Sequence, residues 1–227
     1  MNNKTFHAQT RRHTQLPRFF RWFSSHCVVR QLDDSDITRV WRTVQARGFA
    51  RCCSASAPTT NAEVVEALRV AQADWLRGVR YTLAVLRKTS HDFVGWLEVR
   101  PHANEKGAWS LDAFLHPDFF GTPLALEAVA ATADLLFSAL DAKKLYARCP
   151  RGNVRLEDLL NAHGFIEVAA AGSRDPATGR ERSSSLYELG HRDWLEVRRA
   201  QATLHPSDDP VTAQWITTGL KKELTLV

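Results

Sequence analysis

The sequence predicts a mixed α+β domain, and three observations point there. The apolar periodicity switches between two and about 3.6 along the chain, in the order β-α-α-β-β-β-α-β-α-β-β. That order is neither an alternating βα array nor a block of strands followed by a block of helices. Three strand-like runs in the middle are separated by short polar turns, which predicts an antiparallel meander. The chain has 227 residues, 44% hydrophobic and 24% charged, enough for one substantial core but not for two full domains.

The elements follow in order. "CVVRQL" (27–32) is rich in β-branched residues and reads as a strand. "DDSD" supplies cap residues for a helix from about Ser35 to Arg47, with Val40, Trp41 and Val44 on one face. "GFARCCSASAPTT" is a small-residue loop, after which Thr60 or Asn61 caps a second helix that runs to about Gly78. The meander is "RYTLAVLR", "DFVGWLEVR" and "AWSLDAFLH", broken by "KTSH" and "PHANEKG". A glycine loop at Gly121 leads into a long helix from about Pro123 to Leu140, with Leu124, Val129, Ala133, Leu136 and Leu140 as its stripe. "KLYARC" is the next strand, and "NVRLEDLLNAHG" a short helix stopped by Gly164. "FIEVAAAG" and "SSLYELG" are strands around the polar loop "SRDPATGRER", and "HRDWLEVRRAQ" returns to helix.

Charge is unevenly placed. Lys4, Arg11, Arg12, Arg18, Arg21 and Arg30 precede the first acidic residue, Asp33; subtracting these six from the net +5 leaves −1 for the rest. Basicity belongs to the leader, so the isoelectric point alone is no argument for nucleic-acid binding. The expected organisation is a basic, flexible leader at 1–26, a domain at 27–197 and a C-terminal extension at 198–227. The leader has the Arg-rich, acid-free character of an organelle transit peptide, which stays open beside a disordered leader or an early start codon. Its arginines interleave with Phe19, Phe20, Trp22 and Phe23, a composition suited to RNA or another anionic surface. Cys27, Cys52, Cys53 and Cys149 lack metal-ligand spacing, so no metal is expected, and a reduced, cytoplasmic setting fits them. No apolar run is long enough to span a membrane.

The stretch "HPDFFGTPLALEAV" (116–129) has the layout of a loop presenting backbone N–H groups at a helix N-terminus. With "NVRLEDLLNAHGF" and "SLYELGHRDW", it resembles the GNAT acetyltransferase superfamily, in particular the RimJ/RimL-type protein N-acetyltransferases. The resemblance covers about residues 27–195. It implies a GNAT fold: a mixed, mostly antiparallel sheet of six to seven strands, flanked by about four helices, with a splayed strand pair. It also implies acetyl-CoA as cofactor. The family's Arg/Gln-Gly-x-Gly-x-Gly/Ala loop falls on Phe120, Gly121, Thr122, Pro123, Leu124 and Ala125. Gly121 and Ala125 fit; Phe120 stands for the cationic or amide residue and Pro123 for the middle glycine. Proline deletes one donor yet suits the first helical turn, leaving the amides of Gly121, Thr122, Leu124 and Ala125. By the same resemblance, pantetheine lies along Phe114 and Leu115, in the gap between "LDAFLH" and "KLYARC". Asn153 then meets the cofactor near the thioester, a role compatible with capping the following helix. Leu156 replaces the family's Ser.

Amine acetylation needs a neutral amine and a base. An α-amino group, with a pKa of about 7.7–8.0, needs little help near neutrality, whereas lysine needs far more. Glu98 and Asp112, on strands flanking the implied substrate cleft, are the candidate bases; for either, an outward solvated position is the plain alternative. Tyr146 and Cys149 lie near as candidate acids, with a core position as the plain alternative for Tyr146 and solvent as a third source of the proton. Trp41 and Trp75 sit at helical periodicity, which marks core; by the resemblance they are also on the helices that wall the substrate side, which makes them candidate acceptor contacts. The expected activity is acetyl transfer to a protein or peptide N-terminal α-amine or to a small-molecule amine, by a monomer or homodimer. Two other readings stay open: a GNAT-fold binding protein without catalysis, and acetylation of aminoacyl-tRNA steered by the basic arm.

Overall fold

The computed structural model describes residues 15–49, 58–174 and 181–204. The strands are β1 (Arg21–Phe23), β2 (Cys27–Gln31), β3 (Tyr81–Arg87), β4 (Phe93–Pro101), β5 (Ala108–Leu115), β6 (Lys144–Pro150), β7 (Ile166–Arg174) and β8 (Glu181–Gly190). The helices are α1 (Ile37–Gln45), α2 (Asn61–Arg77), α3 (Pro123–Ala139), α4 (Val154–Ala162) and α5 (His191–Leu204). One sheet holds the strands in the order β1-β2-β3-β4-β5-β6-β8-β7, with every neighbouring pair antiparallel except β5–β6. The expected meander is β3–β4–β5. Among the described residues the sheet has eight strands and is accompanied by five α-helices, slightly more than the six to seven and about four expected.

The start signals act as their chemistry requires. Asp33 and Asp36 form a reciprocal capping box ahead of α1. Thr60 accepts from the Glu63 amide at the start of α2, which ends on Gly78 in the left-handed conformation. Side chains alternate across the strands. One face (Leu83, Val85, Leu97, Val99, Leu111, Leu115, Leu145, Leu189) packs under α3, which buries ten residues and is enclosed on most sides. The other face (Ala84, Leu86, Trp96, Phe114) meets Val40 of α1 and Val64 and Leu68 of α2.

The expected leader boundary at residue 27 falls inside the packed sheet. Leu16, Phe20 and Trp22 are 2%, 1% and 4% exposed, and Arg21–Phe23 pairs with Val28–Arg30. The Leu16 amide donates to Tyr81 Oη at 3.3 Å, and the Gln15 side chain donates to the Trp75 and Leu76 carbonyls. Phe20 stacks on Trp75 at 5.4 Å. Residues 15–26 are therefore part of the domain, because their aromatic side chains cover the end of α2 and the β1–β3 edge. At the other end α5 runs through residue 197 to Leu204, so the expected boundary there cuts a helix. Arg11, Arg12, Cys52 and Cys53 lie outside the described residues.

The strand pair that opens is β5–β6. The parallel ladder holds from Ala108↔Lys144 to Leu111↔Ala147 and then stops. β5 stays paired with β4 as far as Leu115, and β6 stays paired with β8 as far as Pro150. Two strands held firmly on their outer sides part in the middle, leaving a gap between Asp112–Leu115 and Arg148–Pro150.

Candidate active site

A cleft of about 620 Å³ lies over this gap, on the sheet face that carries α1 and α2. Glu98 and Asp112 are direct cross-strand partners on β4 and β5, so both carboxylates stand side by side in its lining. Each has its own arginine: Arg80 Nη1 lies 3.1 Å from Glu98, and Arg100 Nη1 lies 2.7 Å from Asp112. Their side chains are 19% and 14% exposed, so neither is the freely solvated strand carboxylate of the plain alternative. Burial raises the Glu98 pKa above the usual carboxylate range; Arg80 opposes the rise and Asp112 adds to it.

Tyr146 on β6 also lines the cleft. Its hydroxyl donates to Glu105 at 2.7 Å, and its ring lies 4.6 Å from His102, which is bonded through Nδ1 to Ser110 Oγ. Burial, followed by its carboxylate bond, raises the Tyr146 pKa. Cys149 is 0% exposed and burial pushes its thiol up to about 12, so it supplies neither thiolate nor surface.

The loop before α3 is built from two tight steps. His116 caps a 3₁₀ turn at Pro117–Phe119, and Thr122 caps α3, with Pro123 in the first helical turn. Two of the four expected donor amides are already used: Thr122 N bonds Phe119 O at 3.1 Å, and Ala125 N bonds Thr122 O at 3.1 Å. The amides of Gly121 and Leu124 have no partner among the described hydrogen bonds. Gly121 has φ +78°, and a Cβ there would meet nothing within 4 Å, so open space lies against the loop at the positive end of the helix.

Several expected contacts are placed elsewhere. Ala125 and Leu115 are fully buried and Phe120 is 6% exposed, all three in the core beneath α3 rather than on a ligand-facing surface. Phe114 does line the cleft, stacked on Trp96 at 5.0 Å. Trp75 is 1% exposed and wedged between Phe20 and Tyr81, and Trp41 packs half-buried against the α1–α2 cluster; neither lines the cleft. Their helical periodicity marked core contacts. The cleft's arginines (Arg80, Arg100 and Arg148) carry no signal in the sequence, where an arginine in or beside a strand has no distinguishing local pattern.

The residues present fit acetyl-CoA. Asn153 Oδ1 caps α4 by accepting from Leu156 N at 3.3 Å, while its Nδ2 is buried with no partner, a donor left for a ligand. The unpaired edges of β5 and β6 offer backbone groups to an extended chain, as an added strand would use them. Gly121 N and Leu124 N, without partners at the start of α3, are two donors available to phosphate.

A parallel strand pair that splays and a glycine turn at the start of the next helix are the features that the resemblance to acetyltransferases implies. The chain belongs to the acetyltransferase (GNAT) domain family, which matches residues 26–166. Acetyl-CoA is the acyl donor of that family. Solved structures of the same fold include a GCN5-related N-acetyltransferase from Brucella melitensis, 17% identical with a TM-score of 0.71, covering 92% of this chain and 96% of that one. Another is RimJ of Mycobacterium smegmatis in complex with CoA-disulfide, at 15% identity and TM-score 0.68, covering 82% and 92%. A third is the spermidine N-acetyltransferase of Vibrio cholerae with CoA and spermine, at 15% identity and TM-score 0.65, covering 75% and 99%. No curated protein matches the sequence. Among the described residues no helix is long and apolar enough to cross a membrane.

Proposed function

We propose that the protein transfers the acetyl group of acetyl-CoA to the α-amine of a peptide or protein N-terminus, or to a comparable small-molecule amine, with Glu98 as general base. The observation that carries this is the Glu98–Asp112 pair at the opening of the β5–β6 gap, with the Glu98 pKa raised by burial. A base works best when its pKa approaches the working pH, and a buried carboxyl is closer to that than a solvated one. Asp112, paired with Arg100 at 2.7 Å, stands beside Glu98, and the two carboxyls together favour an ammonium group arriving in the cleft.

Acetyl-CoA supplies the activated acetyl group. Glu98 would take from the ammonium, directly or through one water, the proton that must leave before nitrogen can attack, and pass it to solvent. It would then accept the second proton that nitrogen sheds once bonded to the acetyl carbon of bound acetyl-CoA, with CoA leaving as its thiolate. The Asn153 amide and the unpaired β5 edge orient the acyl end, and the Gly121 and Leu124 amides hold the phosphate end. The departing thiolate takes its proton from solvent, since the Tyr146 hydroxyl is bonded to Glu105 and Cys149 is buried.

Steady-state CoA release from an acceptor panel tests the assignment. Glu98→Gln should lower kcat by about 10²-fold or more while leaving the acetyl-CoA Kd unchanged. In the wild type the acid limb of kcat/KM should lie above the usual carboxylate range. Activity requires ionised Glu98, so it falls as pH drops through the raised pKa. Full activity in Glu98→Gln would remove Glu98 as base.

A further inference from the structure

The cleft arginines are not equally occupied. Arg80 is shared between Asp74 and Glu98, and Arg100 is bound to Asp112. Arg148 lines the same cleft, is exposed, and forms no ion pair, hydrogen bond or ring contact among the described residues.

Its place in the sheet explains why. The β5–β6 register sets Ser110 opposite Tyr146. Two residues further on, Asp112 and Arg148 occupy equivalent positions on the same face. In a closed parallel pair, opposite charges at such positions would join. Here the ladder has ended one residue earlier, and Asp112 has taken Arg100 from β4 instead. The gap thus separates two carboxylates on the β4–β5 side from one unspent cation on the β6 side.

We infer that Arg148 anchors a carboxylate of the acceptor, so that preferred acceptors carry an acid close to the reacting amine. This rests on the reading that the cleft receives an amine. A zwitterionic group matches the cleft end to end: ammonium towards Glu98 and Asp112, acid across the gap on Arg148. A polyamine would meet an unpaired arginine with its second positive charge. The planar guanidinium takes a carboxylate through two parallel N–H donors, which selects geometry as well as charge. The acid can be a side chain on the first residue of a peptide or the α-carboxylate of a free amino acid; the chemistry at Arg148 is the same.

The test uses two matched pairs of probes on the full-length protein: Asp-Ala-Ala-amide against Asn-Ala-Ala-amide, and alanine against alaninamide. Binding is read by calorimetry and acetyl transfer by CoA release. The wild type should prefer the acid member of at least one pair by about tenfold or more, and the responding pair identifies the source of the carboxylate. Arg148→Gln should abolish that preference by raising KM, with kcat within about twofold and the acetyl-CoA Kd unchanged. Arg148→Lys should recover part of it.

Equal handling of both members in both pairs overturns the inference. So does an Arg148→Gln protein that binds acetyl-CoA more weakly while keeping the acid preference, since the cation then serves the cofactor. Arg148-dependent binding of the acid probes without any CoA release would keep the inference and remove the acetyl-transfer reading. Equal acetylation of all four probes would do the reverse.

Discussion

Replacing Pro123 should tighten acetyl-CoA binding, by an amount the loop geometry bounds. Two amides, those of Gly121 and Leu124, have no partner among the described hydrogen bonds, whereas Thr122 N and Ala125 N are committed to carbonyls and Pro123 has no N–H. Pro123→Gly or Pro123→Ala inserts a third donor between them, at a helix position whose amide has no intrahelical partner. A hydrogen bond to a charged group is worth about 1.5–3 kcal/mol. Desolvating an exposed amide consumes part of that, so the gain in affinity should not exceed roughly tenfold, about 1.4 kcal/mol. The two variants should part in stability: glycine enlarges the unfolded ensemble and should lower apo stability by roughly 0.4–1 kcal/mol, alanine by less. Isothermal calorimetry with acetyl-CoA, beside thermal melts of the apo proteins, reads both quantities. If both variants lose stability in that order yet bind acetyl-CoA no tighter than wild type, no phosphate oxygen sits at the start of α3. The Gly121 and Leu124 amides would then not be the cradle.

Removing residues 1–26 should abolish the cooperative melt, since it deletes β1 with Leu16, Phe20 and Trp22; Phe20→Ala alone should cost about 3–5 kcal/mol in denaturant unfolding. Gly95→Ala should be among the most damaging single substitutions on the sheet. Its Cβ would fall 2.3 Å from the Phe114 carbonyl oxygen at φ +146°, so loss of soluble folded protein or a much lower Tm is expected. Asn153→Asp keeps the oxygen that caps α4 but removes the unpartnered Nδ2 donor. It should leave the Tm within a few degrees and weaken acetyl-CoA binding, whereas Asn153→Ala should lose both the cap, about 0.5–2 kcal/mol, and affinity.

Local chemistry was legible in the sequence wherever one residue decides its own backbone. Asp33, Thr60 and Gly164 mark helix ends because caps and left-handed stops are properties of two or three neighbouring residues. The meander and the loop before α3 could be read for the same reason, and with them the GNAT resemblance. Glu98 and Asp112 could be named as candidates from residue type and strand. Their adjacency required the β4–β5 register, and the raised Glu98 pKa depends on how deeply that pair is buried. Phe19 to Phe23 carry the charge of a flexible basic leader, yet the alternation of buried Phe20 and Trp22 around exposed Arg21 is the strand signal present there. Ala125 and Leu115 could not be sorted into core or site from periodicity, which marks a buried face without saying what covers it. The unspent charge of Arg148 was beyond the sequence altogether. It follows from where the β5–β6 ladder stops, and a ladder between strands some 35 residues apart exists only after the chain has folded.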